Sequence, residues 1–102
     1  MKVLKRDQAV IDLIETADHI SQDSLEIANR FLDAFESTLD RLKAMPKIGR
    51  LVESKLVLHL RMWFVEGFPN SLIFYAVDEE ACEIEIIRVL HSARDHTRFF
   101  DE

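Results

Sequence analysis

The sequence predicts an α+β domain in which an N-terminal α-helical hairpin packs on a three- to four-stranded antiparallel β-sheet. Three observations carry that prediction. Residues 8–44 hold two amphipathic segments with neither Gly nor Pro, separated only by a short polar break. Pro46 and Gly49 then end the helical region, because proline cannot continue a helix and glycine tolerates the turn. Two β-rich runs, Leu72 to Val77 and Glu83 to Asp95, flank the acidic turn Asp78-Glu79-Glu80, which is the pattern of a hairpin. Helices first and strands after them define the α+β class.

Taken in order, Val3-Leu4 can add a short edge strand at the start. The first helix runs from about Gln8 to Ile20, with Ala9, Leu13, Ala17 and Ile20 on one face and Val10 and Ile14 flanking it. Asp7 is its expected N-cap. After Ser21-Gln22-Asp23-Ser24, the pair Asp23 and Glu26 fits the capping box, in which two side chains satisfy orphan backbone donors. Leu25, Ala28, Phe31, Leu32, Phe35, Leu39 and Leu42 then recur at three- and four-residue spacing, a second helix ending near Ala44. So short a connection predicts antiparallel packing of the two helices. From Leu56 to Val65 the chain is nearly unbroken apolar sequence, which reads as a buried strand or two strand pieces with a bulge. Gly67-Phe68-Pro69-Asn70 is turn chemistry leading into Leu72. Asp95 reads as the cap of a short C-terminal helical turn, Arg94 to Phe99.

At 102 residues the chain reads as one domain, 1–102, with 48% hydrophobic and 31% charged residues, an ordinary balance for a globular protein. No apolar stretch reaches the length of a membrane span, and no long apolar run follows the basic start, so a cytoplasmic location without membrane attachment is expected. Cys82 is the only cysteine, which excludes an internal disulfide, and it is expected as a small apolar residue beside the hairpin. Both halves are acidic within a net charge of −6, yet Arg88, Arg94 and Arg98 face only Asp95 between residues 88 and 98. An acidic surface repels nucleic acid at long range, so a protein partner is favoured.

Arginines inside strands need partners or a route to water. Arg61 and Arg88 are of this kind, and the plain account gives them ion pairs with Glu85, Glu66 or Asp95. The other account makes them, with His91, Arg94 and Arg98, a binding surface at the strand ends. Metal binding lacks a basis, since His19 and His59 are isolated and His91 and His96 stand five apart. Ser92, His91 and Asp95 lack the strained, glycine-flanked turn that presents a serine nucleophile, and there is no glycine-rich phosphate loop. No cofactor is expected. RNA cleavage through the ribose 2′-hydroxyl needs a base, an acid and cations around the phosphorane, roles open to Arg61, Arg88, His91 and Tyr75. Against it stand the net acidity and the absence of lysine after Lys55.

Several segments together resemble the RelE/ParE superfamily of toxins from type II toxin-antitoxin systems. They are Met45-Pro46-Lys47-Ile48-Gly49-Arg50, Leu60-Arg61, Phe68-Pro69 leading to Leu72-Ile73-Phe74-Tyr75, and Ile87-Arg88-Val89-Leu90-His91-Ser92-Ala93-Arg94-Asp95. The first and last are most similar to the ParE branch. The resemblance implies a bacterial growth-inhibiting toxin of the kind tied to plasmid stabilisation. It also implies a cognate antitoxin whose C-terminal segment wraps the domain, as a hetero-oligomer or beside a homodimer. A ParE-like target is DNA gyrase. The RelE-like alternative is the ribosome with its mRNA, cut by a metal-independent endoribonuclease, and a third alternative is a non-toxic relative that only binds antitoxin. On this reading Arg61, Arg88, His91, Arg94 and Arg98 meet the target, and the aromatic anchors Trp63, Phe64, Phe99 and Phe100 meet the antitoxin.

Overall fold

The computed structural model describes residues 1–94 and Phe100. Strand β1 (Lys2–Lys5) leads directly into helix α1 (Asp7–Ser21), and helix α2 (Leu25–Ala44) returns alongside it. Strands β2 (Arg50–Leu51), β3 (Arg61–Val65), β4 (Phe68–Asp78) and β5 (Glu83–His91) follow. The order across the sheet is β1-β5-β4-β3-β2. Among the described residues the sheet therefore has five strands, not three or four, and it is mixed, because β1 runs parallel to β5 while every other pair is antiparallel. The helical hairpin carries the chain from one sheet edge, β1, to the other, β2, and β3 and β4 then return it so that β5 closes beside β1; the two parallel neighbours are thus joined by a long connection. Among the described residues no helix is long and apolar enough to cross a membrane.

Both helices follow their apolar periodicity, with small shifts at the ends. Ser24, not Asp23, caps α2, its hydroxyl accepting the Ile27 N–H at 3.2 Å. Asp7 is the first residue of α1, and Arg6 at the N-cap position makes no side-chain cap. The largest departure lies between Val52 and Leu60, where the apolar run is loop rather than strand. Leu56 and Leu58 are 58% and 79% exposed, His59 adopts a left-handed φ of 56°, and only Leu60 is fully buried. An apolar run without alternation does not by itself distinguish strand from covering loop. The turn before β4 is Glu66-Gly67, with Gly67 at φ 90°, while Phe68, Pro69 and Asn70 already belong to the strand. Cys82 is exposed in the β4–β5 turn at φ 55°, not packed beside it.

Two apolar layers cover the two sheet faces. Against the helices lie Phe31, Phe35, Leu39 and Leu42 from α2, meeting Ile73, Tyr75, Ile84 and Val89 from the sheet. Phe31 and Phe68 pack edge to face at 5.3 Å. On the outer face Leu60, Phe74, Ile87, Leu90 and Phe100 form a second, smaller core, with the Phe74 and Phe100 rings 4.8 Å apart. A β-bulge makes this possible: Phe74 pairs with Arg88 and Tyr75 with Ile86, so Ile87 is the extra residue and joins the outer layer. Buried Thr38 ties α2 to the β3–β4 turn by accepting the Glu66 N–H at 3.0 Å and donating to the Ala34 carbonyl.

Candidate functional site at the end of strand β5

β1 accompanies β5 only from Glu83 to Ile86, and the Arg6 N–H closes that pairing on the Ile86 carbonyl at 3.0 Å. Beyond it, among the described residues, the outward edge of β5 has no strand beside it, and α1 takes over. Ala9, Asp12, Leu13 and Thr16 share one helix face at three- and four-residue spacing, which turns the Asp12 carboxylate toward that edge. Asp12 Oδ2 accepts the Val89 N–H at 3.0 Å and Arg88 Nε at 2.8 Å, and its Oδ1 accepts Arg88 Nη2 at 3.0 Å and the Gln8 amide at 3.2 Å. The side chains are 6% exposed for Asp12 and 17% for Arg88. Burial pushes the Asp12 carboxyl up, but the hydrogen bonds from Arg88, Val89 and Gln8 and the guanidinium charge outweigh it. Its pKa is held below the usual aspartate value. The bidentate fork makes this the strongest type of ion pair available to a carboxylate.

Above this pair opens a cleft of about 320 Å³ lined by Asp12, Glu15, Thr16 and His19 of α1 and by Ser71, Leu90, His91 and Arg94. His91 Nδ1 accepts the Ala93 N–H at 3.0 Å, so the neutral ring carries its proton on Nε2. The turn is fastened by Arg94 N–H on the His91 carbonyl and Ser92 N–H on the Asn70 carbonyl, at 3.0 and 2.8 Å. His91 and Arg94 are exposed on it. The structure thus brings Arg88, His91 and Arg94 to one end of β5. Arg98, Asp95, His96 and Phe99, and with them most of the expected C-terminal turn, lie outside the described residues.

Arg61 belongs to a different place. Its Nη1 donates to the Gly49 and Lys47 carbonyls at 2.7 and 3.2 Å. Tyr75, its partner across the sheet, donates its hydroxyl to the Pro46 carbonyl at 2.8 Å and accepts the Gly49 N–H at 2.9 Å. Tyr75 is fully buried, and burial raises its pKa despite the opposing Gly49 hydrogen bond and Arg61 charge. A β-carbon on Gly49 would lie 2.5 Å from that hydroxyl and 2.8 Å from the Met62 carbonyl, so glycine is required by close approach. Tyr75 and Arg61 therefore hold the Pro46–Arg50 loop, and the two in-strand arginines have separate anchors rather than a shared site.

Trp63 and Phe64 are partly exposed on β3 with ring centroids 4.6 Å apart, and Trp63 Nε1 is buried with no hydrogen-bond partner among the described residues. β2 covers only Arg61 and Met62, so Trp63 to Val65 has no strand on its outer side among the described residues. Phe100 is 2% exposed and is a core residue of the outer layer, its carbonyl held by the Ser54 hydroxyl and the N–H groups of Lys55 and Leu56. The acids expected to meet the arginines pair elsewhere: Glu85 with Arg6 and Glu66 with Arg41. The residue that sequence reasoning missed is Asp12. Its signal was a carboxylate on the apolar stripe of α1, beside Ala9 and Leu13. Among the described residues no three His, Cys, Asp or Glu side chains converge as metal ligands.

A family model described as ParE toxin of type II toxin-antitoxin system, parDE, matches residues 3–96. A search of curated proteins finds no match.

Proposed function

Because the chain belongs to the ParE toxin family of type II toxin-antitoxin systems, we propose that it binds and inhibits DNA gyrase and that a cognate antitoxin neutralises it. The observation that carries this reading is the exposed His91–Arg94 turn, mounted on the buried Asp12–Arg88 pair at the end of β5. A binding surface gains from such a mount, since an anchored strand end presents its cations in one geometry at low entropic cost. In this reading His91 and Arg94 contact the target and Arg88 positions them, while Arg61, held by the Lys47 and Gly49 carbonyls, lies apart from this strand end.

Supporting a binding role over RNA cleavage, the Tyr75 hydroxyl is buried between Pro46 and Gly49, Arg61 is bound to loop carbonyls, and Arg88 is neutralised by Asp12. A transesterification site needs such groups turned toward a phosphate. For the antitoxin, the outer edge of β3 at Trp63 to Val65 has no neighbouring strand among the described residues and carries two partly exposed aromatic rings, the features used by added strands and by aromatic anchors.

Purified toxin added to gyrase in a supercoiling assay, beside a ribosome-coupled mRNA cleavage assay, tests the proposal. Loss of supercoiling with intact message supports it. Cleaved message with normal supercoiling replaces it with the nuclease reading, and normal growth on expression without the partner leaves antitoxin binding alone.

A further inference from the structure

The opposite end of the sheet, at the β4–β5 turn, carries two adjoining cavities of different chemistry. One is a groove of about 760 Å³ with Leu4, Leu51, Leu58 and Ala76 among its walls and Asp78, Glu79, Glu80, Glu83 and Glu85 along it. The other is an apolar pocket of about 560 Å³ between Met1, Met45, Pro46, Ile48 and Val77. They share Lys47, Val77 and Glu79, and the Lys47–Glu79 ion pair at 2.6 Å stands at their junction.

Three properties restrict what this surface can hold. Five carboxylates share the groove with Lys47, Arg61 and His59, and Arg61 is bound to loop carbonyls. Asp78, Glu80 and Glu83 make no ion pair among the described residues. Leu51 and Leu58 are 59% and 79% exposed beside them, and Met45 is half exposed over the apolar pocket. Large apolar side chains left open next to unpaired like charges mark a protein-docking face. A polyanion is repelled here, and so is a second copy of this chain, which has net charge −6 and the same acidic groove. A basic segment is attracted, and an unbranched methionine wall adapts to an apolar anchor.

We propose that this turn-end surface docks a basic, amphipathic segment of the antitoxin. An apolar side chain sits in the Met45–Ile48–Val77 pocket, and Arg or Lys side chains lie along Asp78, Glu80 and Glu83. The proposal rests on the toxin-antitoxin reading and adds to it the charge of the partner's segment. That segment is cationic, because the toxin supplies the carboxylates. Guanidinium groups suit the site best, since they pair with carboxylates in bidentate fashion.

The test uses the full-length chain and the product of the adjacent reading frame as the binding probe, with affinity measured by titration calorimetry at about 50 and about 300 mM salt. Glu80→Lys with Glu83→Lys places two cations where the segment's own cations lie, and the Gln versions of both remove charge alone. The expected result is a Kd raised about tenfold or more by the double Lys variant and less by the double Gln variant, with a weaker salt dependence in both. Far-UV circular dichroism melts show the variants to be folded, and growth arrest without antitoxin stays as in the parent. A complex whose Kd ignores both substitutions and salt overturns the docking proposal and leaves the toxin-antitoxin reading standing. If the parent protein binds no such product, both fall.

Discussion

Replacing Asp12 with alanine removes the acceptor of four donors at once: two from Arg88, one from Val89 and one from Gln8. Breaking a buried ion pair by deleting one partner costs about 3–5 kcal/mol, and an orphaned backbone amide costs about 1–3 kcal/mol. These penalties overlap, and the Arg88 side chain keeps 17% exposure through which water can recover part of its solvation. The expected loss is therefore about 3 kcal/mol, which in a domain of this size lowers Tm by about 12–20 °C. Asp12→Asn retains an oxygen for the Val89 N–H but loses the charge, and should cost about half as much. Urea unfolding followed by Trp63 fluorescence, with Arg88→Met and the double variant closing a cycle, isolates a coupling of about 1–3 kcal/mol. The pH dependence has a fixed sign. Folding lowers the Asp12 pKa, so its contribution is complete above the unfolded value of about 4 and is lost as pH falls through the lower native value. The Asp12→Asn protein should accordingly lose less stability than the parent on acidification. An Asp12→Ala protein within about 0.5 kcal/mol of the parent would mean that the Asp12–Arg88 pair does not hold α1 on β5.

The other expectations concern the loop, the outer core and the strand end. Gly49→Ala forces a methyl against the Tyr75 hydroxyl and the Met62 carbonyl, and should destabilise by about 2 kcal/mol or more in a chemical denaturation curve. Tyr75→Phe removes the bonds to Pro46 and Gly49 at about 1–3 kcal/mol. Because the Tyr75 pKa is raised, its contribution is complete below about pH 10 and is lost as pH rises through the native value. The parent should therefore lose stability in alkali over a range where Tyr75→Phe loses less. Phe100→Ala empties the place beside Phe74 in the outer layer, and a loss of about 3 kcal/mol in the same denaturation assay separates a core role from an antitoxin contact.

The architecture was legible wherever a period was sustained. The helices announced themselves through Ala9-Leu13-Ala17 and Phe31-Phe35-Leu39-Leu42, and the β4–β5 hairpin through its β-branched runs and acidic turn. The 52–60 loop was not, because Val57 and Leu60 pack inward while Leu56 and Leu58 stay open, and an apolar run conceals that division. The parallel pairing of β1 with β5 is a tertiary choice with no local trace in four residues. At the site, the clustering of Arg88, His91 and Arg94 followed from their nearness on one strand end. The partner of Arg88 did not, since Asp12 lies 76 residues away on a helix. The anchoring of Arg61 on the Pro46–Gly49 loop depends on backbone carbonyls, which residue identity does not reveal.

Gyrase inhibition through the β5 end is tested by comparing the parent with Arg94→Ala and His91→Ala in the supercoiling assay, each shown to be folded by its melting curve. Parent toxin should block supercoiling, and a folded Arg94→Ala protein, altered at an exposed turn position, should lose the block. His91→Ala should weaken it only modestly, in contrast to the two to four orders of magnitude or so lost with a proton-transfer residue. Supercoiling undisturbed by the parent protein at saturating concentration would exclude gyrase as its target.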